Sequence, residues 1–297
     1  MTKVLKIQGI IFAILSLLTV ASWSHPPTVS DQSQIIITSI LILILGVPHG
    51  ALDAILAEKA LNIKGILGWT VFLVEYCALA GIIVMVAYYV PFVFLAGFLV
   101  ISVFHFSTDP APSVPFVSRI LYGGGIIFVP AIYYSDEMSR LFALLSGENA
   151  AAMIMDPIKL LSVPWFLLLI GAAACQLKAD IYAAVEIVAV SILALLVPPL
   201  VSFTVYFCFM HSIRHILRSV KITGDYNAIY HVKMIGLPMG GVILTVFVSW
   251  FLLKDEPLDQ RVIQIAFLGL AALTVPHMVI IERVKLKQGA NTKQRGV

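Results

Sequence analysis

Residues 207–218 read Phe-Cys-Phe-Met-His-Ser-Ile-Arg-His-Ile-Leu-Arg. They place His211 and His215 four residues apart in an otherwise apolar run long enough to cross a bilayer. On an α-helix that spacing sets both imidazoles on one face, one turn apart. Imidazoles inside lipid are costly unless something occupies them. The pair therefore asks for a ligand, and for residues elsewhere that complete its site.

The rest of the chain shares the apolar character. Of 297 residues, 60% are hydrophobic and 12% charged, with a mean hydropathy of +1.01. Soluble domains carry about twice that charge. The apolar residues come in runs of roughly 20, the length that spans hydrocarbon as a helix. These features predict an all-α, polytopic transmembrane bundle, a single integral membrane domain over residues 1–297 with a polar, basic tail from about 284. They exclude the short alternating segments of an outer-membrane barrel. Cys77, Cys175 and Cys208 lie inside apolar runs with no Cys-x-x-Cys pair, so neither a disulfide frame nor a thiolate metal site is indicated. The first apolar run has lysines before it and no small-residue cleavage site after it, which reads as a retained span. Nothing suggests nucleic-acid binding.

The runs divide into ten expected spans, roughly 4–23, 34–57, 65–89, 91–108, 116–134, 158–176, 179–200, 201–220, 235–253 and 261–282. Pro, Gly or charged residues mark the breaks, as at His25-Pro26-Pro27, Pro198-Pro199 and Lys254-Asp255-Glu256-Pro257. The stretch from Ser135 to Pro157 is expected to be the longest loop; Met138, Leu141, Phe142 and Leu145 give it an amphipathic part suited to the interface. When Lys and Arg are assigned to alternating sides, fifteen of the 19 fall with the N-terminus. Four, Arg140, Lys159, Lys254 and Arg261, fall opposite. By the positive-inside rule both termini are cytoplasmic and the protein is a multi-pass protein of the cell membrane.

Under this topology five of the seven histidines share one depth in the cytoplasmic half of the bilayer. They are His49 in the second span, His105 in the fourth, His211 and His215 in the eighth, and His277 in the tenth. His25 and His231 are expected in loops. Asp53 follows His49 by four residues and Asp109 follows His105 by four, so either carboxylate can orient a ligand histidine or support a neighbour across the bundle. Glu75 and Glu186 are mid-span carboxylates near the same layer and are further candidates for such support. Pro48 and Pro276 each precede a histidine and kink its helix, while Gly46 and Gly50 permit close approach. Arg214 is expected to snorkel to the cytoplasmic surface with Arg218.

Imidazole ligation without thiolate suits iron, copper or zinc. Two histidines on one helix favour a compact ion over a haem, and neutral ligands suit Fe(II) and O₂. A metal inside the bilayer implies a lipid-soluble substrate. Phe104, Phe106, Phe203, Tyr206 and Phe207 flank the histidines and could line a slot for a flat conjugated hydrocarbon.

Four motifs, Gly-Val-Pro-His-Gly-Ala-Leu-Asp (46–53), Phe-His-Phe (104–106), His-Ser-Ile-Arg-His (211–215) and Pro-His-Met (276–278), resemble those of the membrane-bound β-carotene 15,15′-dioxygenases, the Brp/Blh family. The family pattern has glycine after Phe106, where this chain has Ser107-Thr108. The resemblance implies an Fe(II) enzyme that uses O₂ to split the central double bond of β-carotene into two retinals, often for a rhodopsin apoprotein. It carries iron ligation onto His49, His105, His211 and His215, with His277 as an additional ligand or supporting residue.

Two other classes compete with this reading. A transporter or proton channel with a histidine–carboxylate relay should spread polar groups towards both faces. Another metal-dependent lipid enzyme, such as a zinc hydrolase, should carry a general base as in His-Glu-x-x-His, which is absent.

Overall fold

The computed structural model describes residues 3–24, 30–59, 61–223 and 228–295, with side chains described up to 220 and again over 234–287. No strand occurs among the described residues. The helices are α1 (Lys3–Trp23), α2 (Asp31–Lys59), α3 (Gly65–Tyr89), α4 (Pro91–Phe106), α5 (Phe116–Phe128), α6 (Ala131–Ser146), α7 (Glu148–Ala179), α8 (Ile181–Leu196), α9 (Pro199–Val220), α10 (Ala228–Leu252) and α11 (Leu258–Lys287). Seven are long and apolar enough to cross a membrane, and α5 with α6 makes an eighth if that pair, bent by 64°, is one span. The shorter α4 and α8 are apolar too. The molecule is a helical membrane bundle, as its composition required.

Local chemistry accounts for the helix ends. Asp180 caps α8 by accepting from the Tyr182 and Ala183 amides. Pro91 and Pro199 open α4 and α9, where a missing N–H costs nothing. Gly147, at φ +84°, makes the sharp turn between α6 and α7.

Several expectations about boundaries are corrected. The stretch 135–157 is helical rather than a loop: α6 covers Met138 to Leu145, and α7 starts at Glu148 and runs through Pro157 and Pro164. A proline inside a span need not end it when neighbouring helices satisfy the carbonyl it frees. The fifth expected span bends at Phe128–Ala131 instead of ending at 134. The C-terminal tail continues the last helix to Arg295. His231 lies within α10, not in a loop, while His25 falls outside the described residues.

The core forms where α5, α7, α8 and α9 meet, around Tyr122, Leu169, Val190 and Tyr206. Small residues bring the helices close. A side chain at Gly123 would strike the Val103 carbonyl on α4, and one at Gly124 would strike Trp165 on α7. In turn the Trp165 indole donates to the Leu121 carbonyl at 2.9 Å. α3 and α10 are peripheral, with few of their described side chains buried.

Three π-helical turns interrupt the bundle: Ile42–Gly46 in α2, Tyr206–Ser212 in α9 and Gln264–Leu268 in α11. Each precedes or contains a histidine of the expected layer. Such turns are rare and cluster at functional sites. The first two pack against each other, and the contact needs Gly46, where a Cβ would overlap the Phe207 ring.

Candidate metal centre

The five histidines converge. One ring nitrogen from each of His49, His105 and His277 lies within 4.8 Å of the other two. The His49 ring centroid is 5.1 Å from that of His211, 5.4 Å from His215 and 5.4 Å from His277. His105 is 4.5 Å from His211, and His215 is 4.8 Å from His277. Four of the rings are buried, and His215 is partly so.

Three of the four helices aim an imidazole by a separate device. In α2 the π turn and Pro48 disturb the ladder, and the Gly50 amide donates to the Val47 carbonyl. The Gly46 carbonyl meets His49 Nδ1 at 2.5 Å. A carbonyl can only accept, so Nδ1 carries the proton and Nε2 the lone pair. In α9, His211 Nδ1 lies 3.1 Å from both oxygens of Asp109, which also accepts from the Tyr206 hydroxyl at 2.6 Å. In α11, His277 Nδ1 lies 2.7 Å from Asp53 Oδ1, and Asp53 accepts from the Tyr76 hydroxyl at 3.2 Å. Asp53 on α2 thus faces an imidazole on α11, and Asp109, in the bend after α4, faces one on α9. Each can hold the tautomer and the orientation of its ring, as carboxylates beside metal-bound histidines do.

The consequence is visible at the opposite edge of the rings. His211 Nε2 and His277 Nε2 are buried with no hydrogen-bond partner. Buried polar atoms are almost always paired, and leaving one unpaired costs about 1–3 kcal/mol. Two such nitrogens in one cluster of imidazoles fit a divalent transition metal. The described cysteines do not join them: Cys77 and Cys175 are exposed, and Cys208 donates to the Leu41 carbonyl.

Not every residue singled out from the sequence reaches the cluster. Glu75 is half-exposed and pairs with Arg283 at 2.9 Å. Glu186 is buried and grips Arg214 with both oxygens, at 2.7 and 2.8 Å. Arg214 is therefore not a snorkelling residue: its side chain is 0% exposed and also donates to the Asp109 carbonyl at 3.0 Å. Burial of a guanidinium is tolerable because a bidentate carboxylate and backbone carbonyls replace its water. Arg218 donates to the carbonyls of Thr108 and Asp109.

The aromatic residues divide similarly. Phe207 stacks on His211 at 5.5 Å, and Phe106 meets it edge-on at 5.0 Å. Phe203 stacks on Phe207 at 5.4 Å. Tyr206 is committed to Asp109, and Phe104 is half-exposed on the outer face of α4. An apolar pocket is lined by Phe98, Ser102, Phe106, Phe203 and Phe267 among others. A second is lined by Phe98, Ile101, Thr274 and Val275 among others. The first ends on rings that touch the histidines; the second reaches residues one turn before His105 and His277.

Sequence reasoning missed Tyr76 and Gln8 as parts of this region. Gln8 was the more detectable, being an amide inside an apolar run.

The family described as Beta-carotene 15,15'-dioxygenase matches residues 40–285. A protein of an uncultured marine bacterium named "Beta-carotene 15,15'-dioxygenase" is 30% identical over 270 residues, covering 83% of this chain and 95% of its own. A Halobacterium salinarum protein named "Probable beta-carotene 15,15'-dioxygenase Blh" is 22% identical over 295 residues, covering 83% of each chain. No solved structure matches the chain.

Proposed function

The chain belongs to the β-carotene 15,15′-dioxygenase family, and we propose that it does its chemistry at an iron ion held by His49, His105, His211 and His215, with His277 as a fifth imidazole. The enzyme is a carotenoid-cleaving dioxygenase that splits the central double bond of β-carotene to give retinal. The observation that carries the metal reading is the pair of buried, unpartnered Nε2 atoms on His211 and His277, each behind an Nδ1 held by a carboxylate.

In this reading Fe(II) supplies activation of O₂, the co-substrate. The chain's own residues do the rest. Asp109 and Asp53 keep the protons of His211 and His277 on Nδ1 and leave Nε2 free to donate. Gly46 does the same for His49. The buried helices exclude water, which keeps the hydrocarbon and the cluster dry. The two apolar pockets, meeting at Phe98, receive the two halves of the polyene, and Phe106 and Phe203 guide its middle towards the imidazoles. A symmetric substrate cut at its centre needs room on both sides of the cutting point, and two pockets supply it. The protein sits in the cell membrane as a multi-pass protein with cytoplasmic termini, and its product is suited to a rhodopsin apoprotein.

The test is expression in a bacterium that accumulates β-carotene, followed by pigment extraction. Orange colour should fade and retinal appear. Alanine at His49, His105, His211 or His215 should abolish the change while the protein remains in the membrane. Unchanged pigment beside well-inserted wild-type protein would refute the assignment.

A further inference from the structure

The family match begins at residue 40, yet α1, which precedes it, reaches into the support of the histidine cluster. Gln8 is 6% exposed, in the middle of an apolar helix. Its amide nitrogen donates to the Phe209 carbonyl at 2.9 Å and to the Met210 carbonyl at 3.2 Å. Both carbonyls belong to the π turn that ends on His211 and Ser212. Its amide oxygen accepts from Arg214 Nε at 2.8 Å. One side chain thus grips α9 on both sides of His211.

A π turn offsets the helical ladder by one residue, and carbonyls at the offset need donors from outside the helix. In lipid no water is at hand to supply them. Gln8 supplies such a donor to the Phe209 carbonyl and a second one to the Met210 carbonyl, which the Ile213 amide also reaches, and Gly9 lets it come close enough, because a side chain at that position would strike Glu186 Oε1. Arg214 extends the grip: it holds Glu186 on α8, the Leu5 carbonyl on α1 and the backbone of Asp109, the residue that orients His211. The pattern is more than packing, since three directed bonds from one residue fix the rotation of the turn that presents a histidine.

We propose that Gln8 is a positioning residue for the metal centre, acting through the π turn of α9 to aim His211 into the cluster. The proposal rests on the metal reading above. It makes α1 part of the enzyme's working architecture, not a separate anchor.

The test uses full-length protein purified in detergent, with Co(II) as a spectroscopic probe of the site. Removing a residue that orients a ligand typically weakens metal binding 10- to 100-fold, and Gln8 acts one step further away, so about tenfold is expected. Gln8→Met keeps the length and removes all three bonds. It should bind Co(II) about tenfold more weakly and shift the ligand-field absorption bands, both read well below a melting temperature that also falls, because Arg214 Nε and the Phe209 carbonyl lose their partner. Gln8→Glu keeps the acceptor for Arg214 and loses the donor to the carbonyls, and it should behave like Gln8→Met. If Gln8→Met fails to accumulate, Gln8→Glu decides by the same two measurements. Co(II) affinity within twofold of wild type together with an unchanged spectrum would overturn the proposal. A wild-type protein that takes up no Co(II) or iron would instead sink the metal centre itself, which is a distinguishable result.

Discussion

The carboxylates behind the cluster offer the sharpest quantitative test, because the two are built differently. Asp109 meets His211 Nδ1 with both oxygens at 3.1 Å, and one of those oxygens also accepts from the Tyr206 hydroxyl at 2.6 Å. Asp53 meets His277 with Oδ1 alone at 2.7 Å and takes the Tyr76 hydroxyl on Oδ2 at 3.2 Å. Replacing either by alanine frees an imidazole to rotate and to change tautomer. The expected loss in metal affinity is about 10- to 100-fold, or roughly 1.4–2.8 kcal/mol. Asparagine should separate the two. At position 53 its carbonyl oxygen can still accept from His277, and its amide can donate to the Tyr76 oxygen, so both contacts survive in neutral form. At position 109 both donors reach Oδ2, so an asparagine oxygen there can accept from both, but its amide then takes the place of Oδ1 and turns a donor towards the His211 Nδ1–H. Asp53→Asn should therefore lose only the charge assistance, which about halves a hydrogen bond. Asp109→Asn should lose more than Asp53→Asn, because its amide opposes the His211 Nδ1–H at the place of one oxygen. The assay is a competition titration of the purified protein with Co(II) against a chromophoric chelator, paired with retinal yield in carotenoid-producing cells. Alanine variants that both hold metal as tightly as wild type would refute the idea that these carboxylates orient ligands.

Three further outcomes follow from the same geometry. Gly46→Val should drive α2 from α9, because its Cβ would overlap the Phe207 ring, and the expected result is loss of bound metal and about 1–3 kcal/mol of stability by thermal melting in detergent. Arg214→Met should leave Glu186 buried without its partner and cost about 3–5 kcal/mol, whereas Arg214→Met combined with Glu186→Leu should recover most of that melting temperature; equal loss in single and double variants would show that the pair is not coupled. Glu75→Gln breaks only a half-exposed pair with Arg283, so stability should change by less than about 1 kcal/mol and retinal yield should stay at the wild-type level.

The helices and the histidine layer were legible in the chain because both are local signals. An apolar run of about 20 residues needs no tertiary knowledge, and a histidine inside one stands out. What stayed hidden were pairings between helices. Asp53 sits one turn below His49, and spacing alone leaves open whether it serves that histidine or a neighbour across the bundle. In the structure His49 Nδ1 is already taken by its own Gly46 carbonyl, in a turn disturbed by Pro48 and a π offset. That local satisfaction leaves Asp53 for His277 on α11. Asp109 likewise passes over His105 for His211 on α9. Glu186 lacked any partner within reach on its own helix, and Arg214 looked like a surface residue near a cytoplasmic end. Each makes sense only once α8 and α9 are side by side. The two carboxylate–imidazole bonds also tie α2 to α11 and the end of α4 to α9, so a change in either pair of helices is felt by a ligand on another. An ion gathered from separate helices needs that kind of fastening, because four independently placed imidazoles would have to be ordered at the moment of binding, at a cost in conformational entropy for each. Here the hydrogen bonds order His49, His211 and His277 in advance, through their Nδ1 atoms, and one ring nitrogen each of His49, His105 and His277 lies within 4.8 Å of the other two.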